Sequence, residues 1–239
     1  MIVQFYADSL GLSRPGQVEM DQRYIYLFEL WLRSQISEPL FLVDRSRKGS
    51  TIDKLYEIFL EDIDYITAEK DILIIHEGVC DCAPRPVSKK MRGFISKLPD
   101  FLRIRIISYL HKNRSKLLKR GFIYFQVEKK EYEEHLQQWL KTAIDKFNRI
   151  YVFNIAPTNE KIEKHSPGFS KSIVEYNQII QRVIESFNNP AIKLIDVYSI
   201  VKSEPDIDKL ITSDDGHHIT AAGHRIYAEQ LIELEKKAR

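Results

Sequence analysis

Cysteine is nearly missing from these 239 residues: Cys80 and Cys82 are the two present, one residue apart. So close a pair is poorly placed to staple a fold, which points to a reducing compartment and a cytoplasmic location. No apolar run approaches the ~20 residues that a bilayer span needs. The first residues carry no basic patch ahead of an apolar segment, so they read as a strand rather than a secretory signal. There is no internal repeat and no low-complexity linker. Disulfide-scaffold, membrane-spanning and repeat classes are set aside on these grounds. What is there, 44% hydrophobic and 29% charged residues, fits a single soluble domain over 1–239. A chain of this length can bury most of its unfolded apolar surface.

Acidic residues are scarce in one place. Between Arg85 and Arg120 twelve Lys or Arg face a single acid, Asp100, giving that segment +11. The whole chain carries +2, so the remainder carries −9. A solvated face accounts for many charge runs. A field of one sign also attracts an anionic partner.

Apolar runs divide the chain into alternating units. Ile2–Ala7, Leu40–Val43, Asp71–His76, Arg149–Ile155 and Ile192–Val197 read as strands, continuous rather than alternating in polarity, as in a sheet buried on both faces. Between them, helical spacing spans 18–36, 51–63, 98–118, 129–147, 170–187 and 220–236. In the first of these, Tyr24, Leu27, Phe28, Trp31 and Leu32 share one face, which suits a core. Strand–helix alternation predicts an α/β fold, a three-layer, flavodoxin-like doubly wound parallel sheet of five strands. Residues 86–127 exceed what one crossover needs and read as a basic helical insertion or cap after the third strand.

In such sheets ligands meet the protein beyond the carboxyl ends of the strands. The first strand ends at Ala7-Asp8-Ser9-Leu10-Gly11, which displays Ser9 there. By itself the segment could be no more than a turn or helix cap. Near the other end, Asp214-Asp215-Gly216-His217-His218 precedes the last helix. A serine hydroxyl becomes a nucleophile when an imidazole takes its proton, and the imidazole needs a carboxylate to orient it. If the Asp215–His218 turn is tight, the carboxylate reaches one ring nitrogen and the other faces Ser9. A polar turn before a capped helix is the plainer reading, and a metal site of His217, His218, His224 and Asp215 is another. Catalytic zinc prefers three well-spaced ligands, which argues against the latter. Cys80 as a thiolate nucleophile and Cys-x-Cys as a metal pair are weaker alternatives.

Ala7-Asp8-Ser9-Leu10-Gly11, taken with Asp215-Gly216-His217-His218-Ile219 and Ala222-Gly223-His224, resembles the SGNH/GDSL hydrolase family. That family carries Gly-Asp-Ser-Leu after its first strand and Asp-x-x-His before its last helix. Gly49 and Gly78-Val79-Cys80-Asp81 stand where its middle blocks belong. The resemblance implies a serine ester hydrolase without a cofactor, working through a Ser9 acyl-enzyme. His218 would be the general base and acid, and Asp215 its orienter. The Ser9 and Gly49 amides and Cys80 would form the oxyanion hole, with Asp8, Asp81 and Arg85 at the substrate. The pattern departs at three points: Ala7 replaces a glycine, Cys80 replaces an amide-donating asparagine, and the basic insertion is extra. An α/β-hydrolase elbow, Ala7-x-Ser9-x-Gly11, is excluded by position, since that elbow lies deep in its chain.

The same machinery serves esterases and sugar O-acyltransferases. The basic segment tilts the expected partner towards a small or glycan ester bearing negative charge. Cys80 leaves room for a binding protein that has lost catalysis. Nucleic acid, stacked on Phe94, Phe101, Tyr109 and Phe122, is the disfavoured partner, because those aromatics equally suit a helix core.

Overall fold

Five parallel strands lie side by side in the order β2-β1-β3-β4-β5. They are β1 (Ile2–Ala7), β2 (Phe41–Asp44), β3 (Lys70–His76), β4 (Phe147–Phe153) and β5 (Ile192–Ile195). The computed structural model describes residues 1–65, 70–212 and 214–238. The strand order is the doubly wound one expected, with the chain turning one way after β1 and the other way after β2. Register is continuous: Val3 pairs with Leu42 on one side and Ile72 on the other.

Helices α1 (Tyr24–Gln35), α2 (Ile52–Tyr65), α3 (Val79–Cys82), α4 (Lys89–Ser96), α5 (Asp100–Lys112) and α6 (Arg114–Lys119) occupy the first half. In the second half come α7 (Lys129–Ala143), α8 (Glu160–His165), α9 (Phe169–Phe187), α10 (Val197–Ser203) and α11 (Ala221–Ala238). Helix α1 packs on α11, and α7 packs on both α2 and α9. The two-residue period of β1 explains how one strand serves both layers. Phe5 meets Tyr24 of α1 edge-on at 5.4 Å, whereas the next residue, Tyr6, meets Phe59 of α2 and Trp139 of α7 at 5.6 Å. All five rings are buried, each worth about 2–3 kcal/mol of transfer free energy.

Two expected helices are shorter than their periodicity. Helix α1 begins at Tyr24 rather than 18, because Arg14 and Val18 pair as an isolated bridge and Glu19 and Gln22 cap each other in a separate turn. The run 98–118 breaks at Asn113, whose side-chain amide bonds back to the Tyr109 carbonyl. The core expected for Phe94, Phe101, Tyr109 and Phe122 does not form; all four are exposed, and no residue of α5 is buried.

Candidate active site

Strand β1 hands over to the site through Asp8. Its backbone N–H still bonds the His76 carbonyl of β3 at 3.1 Å, and its carboxylate accepts from the Leu10 N–H at 2.8 Å, starting the short turn Ser9–Gly11. Ser9 is thereby lifted off the sheet edge at the point where the strand order reverses. Ala7 sits in extended backbone, so the missing glycine costs nothing in conformation. Gly11 carries the tight approach instead, since a Cβ there would lie 2.7 Å from the Ala7 Cβ.

The other half arrives from the loop before α11. Gly216 has φ +78°, and a Cβ on it would fall 2.2 Å from the Asn159 Oδ1, so only glycine fits the turn. That turn aims three donors at one oxygen of Asp215: the Thr212 hydroxyl at 2.9 Å and the backbone N–H groups of His217 and His218 at 3.2 and 3.1 Å. The second oxygen takes the His218 Nδ1–H at 2.8 Å and the Arg14 guanidinium at 2.9 Å. With Nδ1 committed as donor, Nε2 is the acceptor, and it lies 3.1 Å from the Ser9 Oγ. Hydroxyl, imidazole and carboxylate therefore form one relay from opposite ends of the chain. Burial alone would raise the Asp215 pKa, but the His218 ring, the His218 N–H and the neighbouring histidine charges outweigh it and hold the carboxyl well below its usual range. It stays ionised while it orients the ring.

Arg14 was not singled out by sequence, and no spacing rule could have found it; it lies in an irregular loop 201 positions from its partner. His217 is turned away from Ser9. Its ring borders a cavity of about 440 Å³ that Cys80, Arg85, His111, Arg114, His165 and Asp215 also line. Ser9 and His218 open on a second cavity of about 350 Å³, with Arg14 and Lys48 in its wall. Gly49, at φ +68°, follows Lys48 in that loop.

The expected substrate-binding role of Asp8 and Asp81 is corrected by their burial. Both are fully enclosed. The Asp8 carboxylate accepts from the Leu10 N–H while its backbone N–H holds β3, and Asp81 accepts from the Ile52 N–H at the start of α2. They tie the three strand-end loops together from beneath. Burial pushes the Asp8 carboxyl up to about 7, the nearby Asp81 adding to the rise. Burial likewise raises the Cys80 thiol far out of reach of neutral pH, which removes it as a thiolate nucleophile. Both cysteines are free.

The metal alternative meets a similar obstacle. Asp215, His217 and His218 bring ligand atoms within 4.8 Å of one another. His224, though, is buried, with its Nδ1 accepting from the Tyr24 N–H at 3.2 Å and its ring stacked on Tyr24.

Arg85, expected at the substrate, lines the larger cavity, whereas Ser9 and His218 line the second one. Among the described residues neither Arg85 nor Arg114 makes an ion pair. Arg85 Nε is buried with no hydrogen-bond partner, while Arg114 donates to the Pro84 carbonyl and the Ser166 hydroxyl. Burial, with Arg85 as like-charged neighbour, brings the Arg114 pKa down to about 10. These two half-buried cations, neither in an ion pair, share the cavity with Lys161, Asp214 and Asp215.

Sheet order, strand-end serine and the Asp-Gly-His-His turn define the α/β fold used by G-D-S-L-type hydrolases. A lipase/acylhydrolase from Enterococcus faecalis shares it with a TM-score of 0.67 and 11% identity, over 99% of this chain and 95% of that one. A member of the lipolytic G-D-S-L family from Veillonella parvula DSM 2008 matches at 0.62 and 11%, over 99% and 98%. An acetylxylan esterase from Geobacillus stearothermophilus matches at 0.60 and 14%, over 97% and 92%. Neither a protein-family model nor a curated protein matches the sequence. At such low identities the likeness establishes the fold; the chemistry rests on the side chains themselves.

Proposed function

We propose that the chain is a serine ester hydrolase that passes an acyl group through Ser9. The Ser9–His218–Asp215 relay carries this reading, at 3.1 and 2.8 Å. His218 Nε2 takes the Ser9 proton as Oγ attacks the ester carbonyl, and then returns it to the leaving alcohol oxygen as the C–O bond breaks. A water molecule, deprotonated by the same nitrogen, releases the acid and restores Ser9. The Ser9 and Gly49 amides are the proposed oxyanion donors. Cys80, a weak donor, stands where an asparagine amide would add to them. Losing such a donor costs ~10²–10³ in rate, so slow turnover fits this site.

The unpaired Arg85 and Arg114 favour an ester whose alcohol or acyl part carries a carboxylate or phosphate, such as an acetylated acidic sugar. The acetylxylan esterase and lipase/acylhydrolase neighbours support an ester substrate in general and leave its charge open. An acyl transfer to a second sugar uses the same relay, with the acceptor hydroxyl in place of water.

Cys80 also favours a second reading, a binding protein that keeps the relay without turnover. A fluorophosphonate probe separates the two. Labelling of the native chain that Ser9→Ala abolishes supports the enzyme, and an unlabelled native chain refutes it. Equal KM for charged and neutral acetyl esters at every salt concentration would refute the anionic substrate alone.

A further inference from the structure

We infer that the basic insertion is a docking surface for an anionic lipid membrane, through helix α5 and the turns beside it. Helix α5 is unusual in its exposure: Phe101 is 64% exposed, Ile104 63%, Ile107 52% and Tyr109 61%. Phe94 of α4 is 62% exposed and Phe122, beyond α6, 49%. Ten of the sixteen large apolar side chains left exposed among the described residues fall between 91 and 124. An isolated helix of this length is marginal in water, and so concentrated a patch marks an interaction site rather than ordinary surface.

The charge identifies what covers it. Residues 85–120 carry +11, and the carboxylates paired with them are few: Asp100 with Arg103, and Asp53 with Lys89. Two copies of the chain meeting through this face would oppose like charge. Nucleic acid would satisfy the cations but has no use for the aliphatic Ile104 and Ile107, since stacking needs rings. A bilayer interface with anionic headgroups takes both, with apolar side chains at the acyl boundary and Lys and Arg at the phosphates. Neither signal alone holds a protein firmly, whereas the two together do. Helix α5 also supplies His111 to the wall of the larger cavity, so docking would bring that cavity close to the lipid surface. The inference stands apart from the Ser9 chemistry.

Co-sedimentation of the full chain with vesicles tests it. Equimolar phosphatidylcholine and phosphatidylglycerol vesicles should bind the protein more than ~10-fold better than pure phosphatidylcholine, and less as salt rises. Phe101→Ser with Ile104→Ser should weaken that binding by ~10-fold or more while the far-ultraviolet circular dichroism is kept. Arg105→Glu with Lys112→Glu changes only exposed charges, should fold normally, and should weaken binding comparably. Equal affinity for neutral and anionic vesicles overturns the inference, as does binding to neither. So does a dimer that the serine variant dissolves, or retention of single-stranded DNA in preference to vesicles.

Discussion

Replacing Asp215 by asparagine changes one charge and almost no volume, yet it should silence the relay. Three donors converge on Asp215 Oδ1, from Thr212, His217 and His218. An asparagine that keeps its carbonyl on those three must turn its NH2 towards His218 Nδ1 and Arg14. The opposite rotamer breaks three hydrogen bonds at ~1 kcal/mol each and points the amide hydrogens at their donors. Nδ1 then has to accept, which places the ring proton on Nε2, facing Ser9 across the 3.1 Å gap. Ser9 is left with no base. A tautomer error of this kind costs ~10³–10⁴ in kcat, or ~4–5.5 kcal/mol of barrier. Stability should fall as well, by ~2–3 kcal/mol, because a carboxyl held below its usual range stabilises the fold through hydrogen bonds to its charge, which asparagine lacks. The measurements are kcat on p-nitrophenyl acetate, the fluorophosphonate labelling rate and the thermal midpoint. Activity within ~10-fold of the native chain, in a variant still folded at the assay temperature, would show that the ring is not oriented by Asp215 and refute the reasoning.

Asp8→Asn should alter the pH dependence of stability. A carboxyl raised from 3.8 to about 7 holds its proton in the folded chain after the unfolded chain has lost it. Its contribution is therefore complete below pH ~4 and lost by pH ~7, at ~1.4 kcal/mol per pH unit, a ceiling of ~4 kcal/mol. Urea unfolding should show the variant gaining on the native chain as pH rises through that window; a constant difference contradicts it. Gly216→Ala meets both a positive φ and the Asn159 side chain, so a loss of ~2–4 kcal/mol in unfolding free energy is expected. Cys80→Asn should raise kcat by ~10-fold or more if residue 80 faces the oxyanion, and an unchanged kcat places it elsewhere.

Sheet and relay were legible in the sequence because each depends on short-range chemistry. A strand buried on both faces is apolar throughout, as Ile72–Ile75 is, and a strand end that must present a side chain turns small and polar, as at Asp8-Ser9. The Asp215–His218 spacing showed a carboxylate and a ring one turn apart, and Gly216 made that turn possible. Other features were hidden for physical reasons. Arg14 joins the relay through a loop with no period. The family resemblance put Asp8 and Asp81 at the substrate, since sequence does not distinguish an acid that meets a ligand from one that meets backbone N–H groups. The aromatic spacing of the basic insertion looked like a helix core because periodicity reports which residues share a face, not whether anything covers it.

The buried acids explain why the strand ends hold their geometry. Asp8, Glu77 and Asp81 lie together beneath the site, and no cation pairs with any of them among the described residues. Three ionised carboxylates could not be enclosed in this way. Burial, with Asp81 as neighbour, keeps the proton on Glu77, which accepts from the Tyr132 hydroxyl at 2.6 Å. Asp81 accepts from Ile52, and Asp8 from Leu10. The Asp81 bond joins the exits of β3 and β2, and the Asp8 backbone N–H joins the exit of β1 to β3. The loops bearing Ser9, Gly49 and Cys80 are therefore fastened by hydrogen bonds whose strength depends on low dielectric. A salt bridge to solvent-exposed lysines would leave the same loops free to drift, and a relay that works only near hydrogen-bond distance would lose its alignment.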